Sequence, residues 1–156
     1  LENLYGSWAG AHGNFQFMPS SINNYAIDYD KDGQIDLVNS LEDSFASAAN
    51  YLKTIGWNKK ISWGYKVISA DKIDNSLVTI DARKLKKTLS KNDLINNKIS
   101  IKNNKKVKGN YKLIRPDGKD GPIFLVTTNY EKLLNWNRSL RFAITVGLFA
   151  DLLKNA

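Results

Sequence analysis

Apolar residues recur at helical spacing in two stretches of the chain and alternate with polar ones between them. Leu41, Phe45, Ala48, Ala49, Leu52 and Ile55 fall on one helix face and Gly56 is a natural stop, so a helix is predicted over 41–55. Leu140, Ala143, Val146, Phe149, Ala150 and Leu153 repeat the pattern behind Ser139, whose hydroxyl suits an N-cap. A further helix start is read at Pro19-Ser20-Ser21. From Ile61 the period falls to two: Ile61, Trp63, Tyr65 and Val67 alternate with polar or small residues and predict a strand. Residues 76–80, 99–101 and 111–114 read as further strands, and Asp81 as the cap of a short Lys-rich helix reaching about Leu89. The Pro, Asp and Gly residues of 115–122 make a turn, and 123–127 closes a hairpin. Lys and Asn crowd 96–110, where an exposed loop is expected. The pattern predicts an α+β protein, a mainly helical body carrying a small strand-rich insert.

Composition narrows this little. With 156 residues, 42% hydrophobic and 24% charged, the chain has the balance of one globular domain able to bury a core. No apolar run approaches the roughly 18 residues of a membrane span. The chain opens at Leu1 without a signal peptide, and the absence of cysteine excludes disulfides and thiol catalysis. A net charge of +8 favours a polyanion: nucleic acid, an anionic membrane surface or a carboxylate-bearing polymer. Many of the lysines lie between Lys84 and Lys112, away from residues 6–21, which favours a plain solvated surface as their explanation. No RNA- or DNA-binding motif accompanies them, so nucleic acid is not expected as a partner.

Two stretches carry candidate chemistry. Asp28, Asp30 and Asp32 alternate, followed by Gly33, Gln34, Ile35 and Asp36, the opening of an EF-hand loop. Hard cations take several oxygens, and carboxylates packed so closely repel one another without one. A structural Ca2+ is therefore expected, held by Asp28, Asp30, Asp32 and the backbone carbonyl of Gln34, with Asp36 acting through water. No organic cofactor is expected. Asn39 stands where such a loop normally has its closing Glu. Asp43, three residues after Ser40, reads as an acid in the first turn of the predicted helix. The other stretch is GSWAGAHGNFQFMPSS, residues 6–21, where Gly6, Ala9, Gly10, Ala11 and Gly13 let something lie close to the backbone beside Ser7 and Gln16. A tightly packed glycine-rich turn would give the same composition.

The order of residues in 6–21 resembles the GS(Y/W)AGAMG-x-x-QFMPSS signature of the membrane-bound lytic murein transglycosylase B family. NYAIDYDKDGQIDL, SAANYLKTIGW, WGYKV and GPIFLVTTNYEKLLNWNRSLRFAITVGLFADLL resemble that family's later blocks in the same order. The resemblance implies a lysozyme-like body, with residues 1–60 part of its catalytic domain and 28–43 its cation loop. Residues 61–128 would be the insert, and 129–156 a C-terminal segment and helix packing back on the body. It implies non-hydrolytic cleavage of the MurNAc-GlcNAc β-1,4 bond of peptidoglycan, leaving 1,6-anhydro-MurNAc ends. It further implies a monomer in the periplasm of a Gram-negative bacterium, with membrane contact only through a lipid anchor outside this chain.

By the same resemblance Ser7, Gln16, Tyr51, Trp136, Asn137 and Phe142 bind the glycan, and Asp43, with Glu42 beside it, closes the cation site. By pattern alone Tyr51 is a half-buried core aromatic, and Trp136 and Phe142 are helix-packing aromatics. His12 replaces the family's Met, and Phe142 replaces a Tyr found in some members. These enzymes use one glutamic acid, whose proton an apolar setting must retain. None of Glu2, Glu42 and Glu131 matches it, and the general acid is expected upstream of Leu1. The chain then reads as an inactive part of a lytic transglycosylase. The alternative is a non-catalytic peptidoglycan- or glycan-binding module.

Overall fold

The computed structural model describes residues 6–69, 73–85, 88–101 and 110–154. They gather into two compact units, one ending at Trp57 and the other beginning at Asn58.

In the first unit the signature stretch turns back on itself. His12 and Phe17 exchange backbone hydrogen bonds of 2.9 and 2.8 Å. Helix α1 (Pro19–Tyr25) follows, its proline in the first turn as expected. After the acidic loop comes α2 (Leu41–Thr54), capped by Ser40, whose Oγ accepts from the Asp43 N–H at 3.1 Å. Gly56 lies just beyond it at φ 93°. The expected apolar stripe of α2 is corrected by the structure: Leu41 and Phe45 are 59% and 61% exposed, while Asp43, Ser44, Ser47, Ala48 and Tyr51 are buried. The buried face is polar because it satisfies a neighbouring loop that has no ladder of its own.

The second unit holds β1 (Gly64–Ser69), β2 (Val78–Thr79), α3 (Lys91–Asn96), β3 (Ser100–Ile101), β4 (Lys112–Ile114), β5 (Phe124–Val126), α4 (Thr128–Trp136) and α5 (Leu140–Lys154). The strands form one mixed sheet in the order β2-β4-β5-β1-β3, in which only β2 and β4 run parallel. Leu113 and Leu125 pair across β4 and β5 and bury one face with Val78, Ile101, Leu89 and Tyr111. Trp63 lies 6.3 Å from the Phe124 ring and 6.4 Å from Tyr130. Its indole N–H donates to Asp151 on α5 at 2.9 Å, and the buried Tyr130 hydroxyl donates to the Leu140 carbonyl at 2.8 Å. These contacts fasten α4 and α5 beside the sheet.

Several expectations change here. Residues 75–77 form a short 3-10 turn, drawn in by Asp74, which accepts from the Ser76 N–H; the strand is confined to Val78–Thr79. Asp81 accepts from the Arg83 N–H in a turn, and Leu89 bridges Tyr111, so the described part of 81–89 is not helical. Residues 86–87 of that span, and 102–109 of the expected exposed loop, lie outside the described residues. The helices that do form, α3 and α4, start at Ser90 and Thr127, whose hydroxyls accept from the Asp93 and Asn129 N–H groups. On α5 the buried stripe is Leu140, Ala143, Ile144 and Gly147, while Val146, Phe149 and Leu153 are exposed. That helix is apolar all round, and the close approach to Trp63 at Gly147 selects the face.

Asn129 ties α4 to the approach of β1. Fully buried, it accepts from the Asn58 N–H and donates to the Asn58 and Ile61 carbonyls, each at 2.9 Å. Asn129→Ala leaves those groups unpaired and is expected to destabilise by about 2–4 kcal/mol. Urea unfolding should show a lowered midpoint at unchanged slope. A loss below about 1 kcal/mol would contradict this role.

Candidate functional site

The signature stretch is held open by its own hydrogen bonds. Ser7 Oγ accepts from the Ala11 N–H at 3.1 Å, and the Ser7 N–H donates to the Ala11 carbonyl at 3.0 Å. The hydroxyl keeps its proton to donate outward. Gly13, at φ 76°, lies so close to Leu37 that a Cβ would overlap the Leu37 backbone. Gln16 sits at φ 51°, a left-handed conformation that costs a non-glycine residue on the order of 1 kcal/mol. Its backbone N–H and its carboxamide N–H both donate to the Gly13 carbonyl, at 3.0 and 2.9 Å. The carboxamide is thereby locked, and its oxygen has no partner among the described residues. Ser7 and Gln16 are exposed; so is Trp8, fully, an aromatic face the sequence reading did not single out although it stands in the small-residue run.

Tyr51 is placed differently. It is 8% exposed, packed edge-on against Tyr25 at 4.9 Å and near Phe17 at 6.0 Å. Burial first, and Tyr25 second, push its phenol above the usual value. In the second unit Trp136 ends α4 half-buried, Asn137 follows exposed in extended backbone, and Phe142 in the first turn of α5 is 39% exposed. The Phe142 N–H donates to Ser139 Oγ at 3.2 Å, the cap expected there.

The acidic loop is built around Asp43. This carboxylate is 1% exposed; one oxygen accepts from the Tyr29 N–H at 2.7 Å and the other from the Asp36 N–H at 3.0 Å. Asp28 accepts from the Lys31 and Gly33 N–H groups, at 2.6 and 2.9 Å. Asp28, Asp30 and Asp43 each offer an oxygen, all within 4.8 Å of one another. Asp32 is not brought into that group: its carboxylate accepts from the Gln34 N–H at 2.8 Å. Asp36 accepts from the Asn39 N–H, the Asn39 side chain and the Val38 N–H, closing the turn where Asn39 replaces the usual Glu. Glu42 points elsewhere, to a cavity it lines with Tyr29, Leu41 and Phe45. Three converging carboxylates with a left-handed Lys31 (φ 65°) and Gly33 (φ 91°) suit an oxygen-preferring cation.

The electrostatics of the carboxylates follow from that geometry. The N–H bond from Tyr29, then that from Asp36, hold the Asp43 carboxyl below the usual range. The Asn39 backbone and side chain do the same for Asp36. At Asp30 the N–H bond from Asp32 lowers the value, but desolvation and the carboxylates of Asp32, Asp43 and Asp28 together outweigh it, and the net shift is upward.

The elements define an α+β fold of the lysozyme-like class. The chain belongs to the Transglycosylase SLT domain family, which it matches over residues 1–151. It is 53% identical over 57 residues to the membrane-bound lytic murein transglycosylase B of Escherichia coli K12, which covers 36% of this chain and 16% of that protein. It superposes on SltB3 of Pseudomonas aeruginosa in complex with NAG-anhNAM-pentapeptide with a TM-score of 0.83 and 35% identity, over 97% of this chain and 40% of that one. Against Escherichia coli Slt35 in complex with calcium the TM-score is 0.74 at 27% identity, over 99% of this chain and 48% of that one. The chain thus spans less than half the length of each of these relatives.

Asp43 and Asp36 give a definite pH dependence. Their folded values lie below the unfolded ones, so their stabilisation is complete above the unfolded carboxylate value and lost as pH falls through the folded ones. Asp30, shifted upward, opposes this, its repulsion being relieved on acidification. In metal-free buffer the urea midpoint should fall between about pH 5 and pH 3, and Asp43→Asn should flatten that fall. A variant profile parallel to the wild type would exclude Asp43 as its source.

Proposed function

We propose that this chain is the glycan-binding part of a peptidoglycan lytic transglycosylase whose general acid lies outside these 156 residues. The observation that carries the reading is the match to the transglycosylase family over residues 1–151. A relative of the same fold was crystallised with NAG-anhNAM-pentapeptide, an anhydro-muropeptide. In such a reaction a protonated glutamic acid gives its proton to the glycosidic oxygen between MurNAc and GlcNAc. The substrate's own hydroxyl then bonds to the anomeric carbon in place of water and surrenders its proton to the carboxylate. Among the described residues the glutamates are Glu42, exposed on α2, and Glu131, 3.3 Å from Lys112. The first is open to water and the second is paired with a cation, so neither is the secluded, unpaired carboxyl that the reaction uses.

Within this reading Ser7 donates to the glycan and Gln16 offers its locked carboxamide oxygen on the first unit; on the second unit Trp136, Asn137 and Phe142 bind glycan as well. Tyr51, being buried, acts through its ring edge or hydroxyl and not as an open platform. A Ca2+ held by Asp28, Asp30 and Asp43 fastens the loop beside α2, with Asp32 leaving the Gln34 N–H and the Gln34 carbonyl turning in as the ion binds; a relative's structure with calcium supports this. The protein works as a monomer on peptidoglycan in the periplasm of a Gram-negative bacterium.

The exposed Asn137→Ala is expected to weaken binding of purified murein glycan about tenfold without shifting the unfolding midpoint, and Gln16→Ala to weaken it by as much while losing about 1 kcal/mol of stability with its bond to Gly13. The chain alone should release no anhydro-muropeptides by mass spectrometry. Such products should appear once it is joined to the remaining part of the transglycosylase fold. Anhydro products from the chain alone would refute the placement of the acid, and unchanged glycan affinity in both variants would refute the residue assignments. The non-catalytic binding module becomes the better reading if the joined protein binds glycan and never cleaves it.

Calcium should raise the melting temperature of the wild type and EDTA should reverse the gain, with Asp30→Asn abolishing the response. A wild type indifferent to calcium would remove the cation from this account.

A further inference from the structure

We propose that an arginine-lined cleft in the second unit binds carboxylates of the murein stem peptide; the inference rests on the glycan-binding reading above and extends it from sugar to peptide. The cleft, about 400 Å³, lies between the turn after β2, the turn after β4 and the start of α5, with Ile80, Asp81, Arg83, Pro116, Arg138 and Arg141 in its walls. Three arginines and one aspartate line it. Asp81 already accepts from the Arg83 N–H at 2.9 Å, and Arg141 Nε donates to Asp117 at 2.8 Å. Arg83 and Arg138 have no ion-pair partner among the described residues.

A further donor is stranded beside the same wall. Arg115, next to Pro116, directs Nη1 to Asn75 at 3.2 Å, while its buried Nε has no acceptor. Guanidinium forks match planar carboxylates two bonds at a time, and this open cleft gathers three exposed arginines against Asp81 and Asp117. The sugar backbone of murein carries no charge of its own. A carboxylate reaching this cleft from the substrate must come from the lactyl-linked peptide.

The test measures binding of the whole chain to two probes, murein glycan strands bearing stem peptides and the same strands stripped of them by an amidase, with each lactyl carboxylate so freed capped as its methylamide. Wild type should prefer the peptide-bearing strands, and Arg83→Gln/Arg138→Gln should lose about tenfold on those alone. Added salt should erase the preference. Arg83→Lys/Arg138→Lys, keeping charge without the fork, should recover only part of the loss. Circular dichroism and urea midpoints verify that both variants fold. Equal wild-type affinity for the two probes, or equal loss on both in the Gln variant, overturns the cleft and leaves the glycan reading standing. Binding to neither probe would instead overturn the glycan reading. Displacement of the peptide-bearing strands by inorganic phosphate as readily as by free stem peptide would also overturn carboxylate selectivity.

Discussion

The first unit depends on one arrangement: a helix that buries its polar face. Ser47 and Ser44 on α2 bond to Ile27 and Leu37, Asn50 donates to the Tyr25 carbonyl, and Asp43 collects the N–H groups of Tyr29 and Asp36. The segment between α1 and α2 has no strand partner, so α2 supplies the acceptors and donors that a ladder would otherwise give. The signature stretch hangs from the same segment. The Leu37 carbonyl accepts from the Asn14 N–H at 2.8 Å, the Asn14 side chain reaches Val38 and Ser44, and Gly13 abuts Leu37. The position of Gln16 therefore depends, through Gly13 and Leu37, on the carboxylate and serines of α2.

This explains why the helix was legible and its buried face was not. The spacing of Leu41, Phe45, Ala48 and Leu52 announces a helix, but the assumption that the apolar stripe faces inward fails where the neighbour is an unpaired loop. On α5 the same assumption fails for another reason, since a helix apolar on every side leaves the choice to small residues beside Trp63. Local chemistry also decided the weakest region. Asp81 and Lys84 look like a helix start, yet the backbone pairing of Leu89 with Tyr111 draws the chain into the sheet edge. The start of α4 is readable in Thr127, Tyr130, Leu133 and Leu134, a cap followed by helical spacing.

The candidate site divides in the same way. Ser7, Gln16 and Asn137 follow from the order of residues in recognisable blocks, and the structure leaves all three exposed. The left-handed backbone at Gln16 is invisible to composition, because nothing in a Gln announces positive φ; only the paired bonds to Gly13 make it tolerable. The arginine cleft was hidden for another reason. Arg83 and Arg138 are far apart in sequence and line one cleft only through the parallel pairing of β2 with β4 and the docking of α5. Net charge announces a polyanion without saying which of 23 basic residues would meet it.

Two copies of one local motif show how context assigns its use. Ser90-Lys-Asn-Asp93 forms a complete capping box, in which Asp93 returns a bond to the Ser90 N–H at 2.7 Å. Ser40-Leu-Glu-Asp43 has the same spacing and the same forward bond, but its aspartate turns away to Tyr29 and Asp36. At the head of α2 the positive end of the helix dipole and two loop N–H groups favour the same carboxylate. The helix start and the acidic cluster are therefore joined at one residue. The donors that keep Asp43 ionised also hold it beside Asp28 and Asp30, so the first turn of α2 builds the cluster on which the proposed cation site rests.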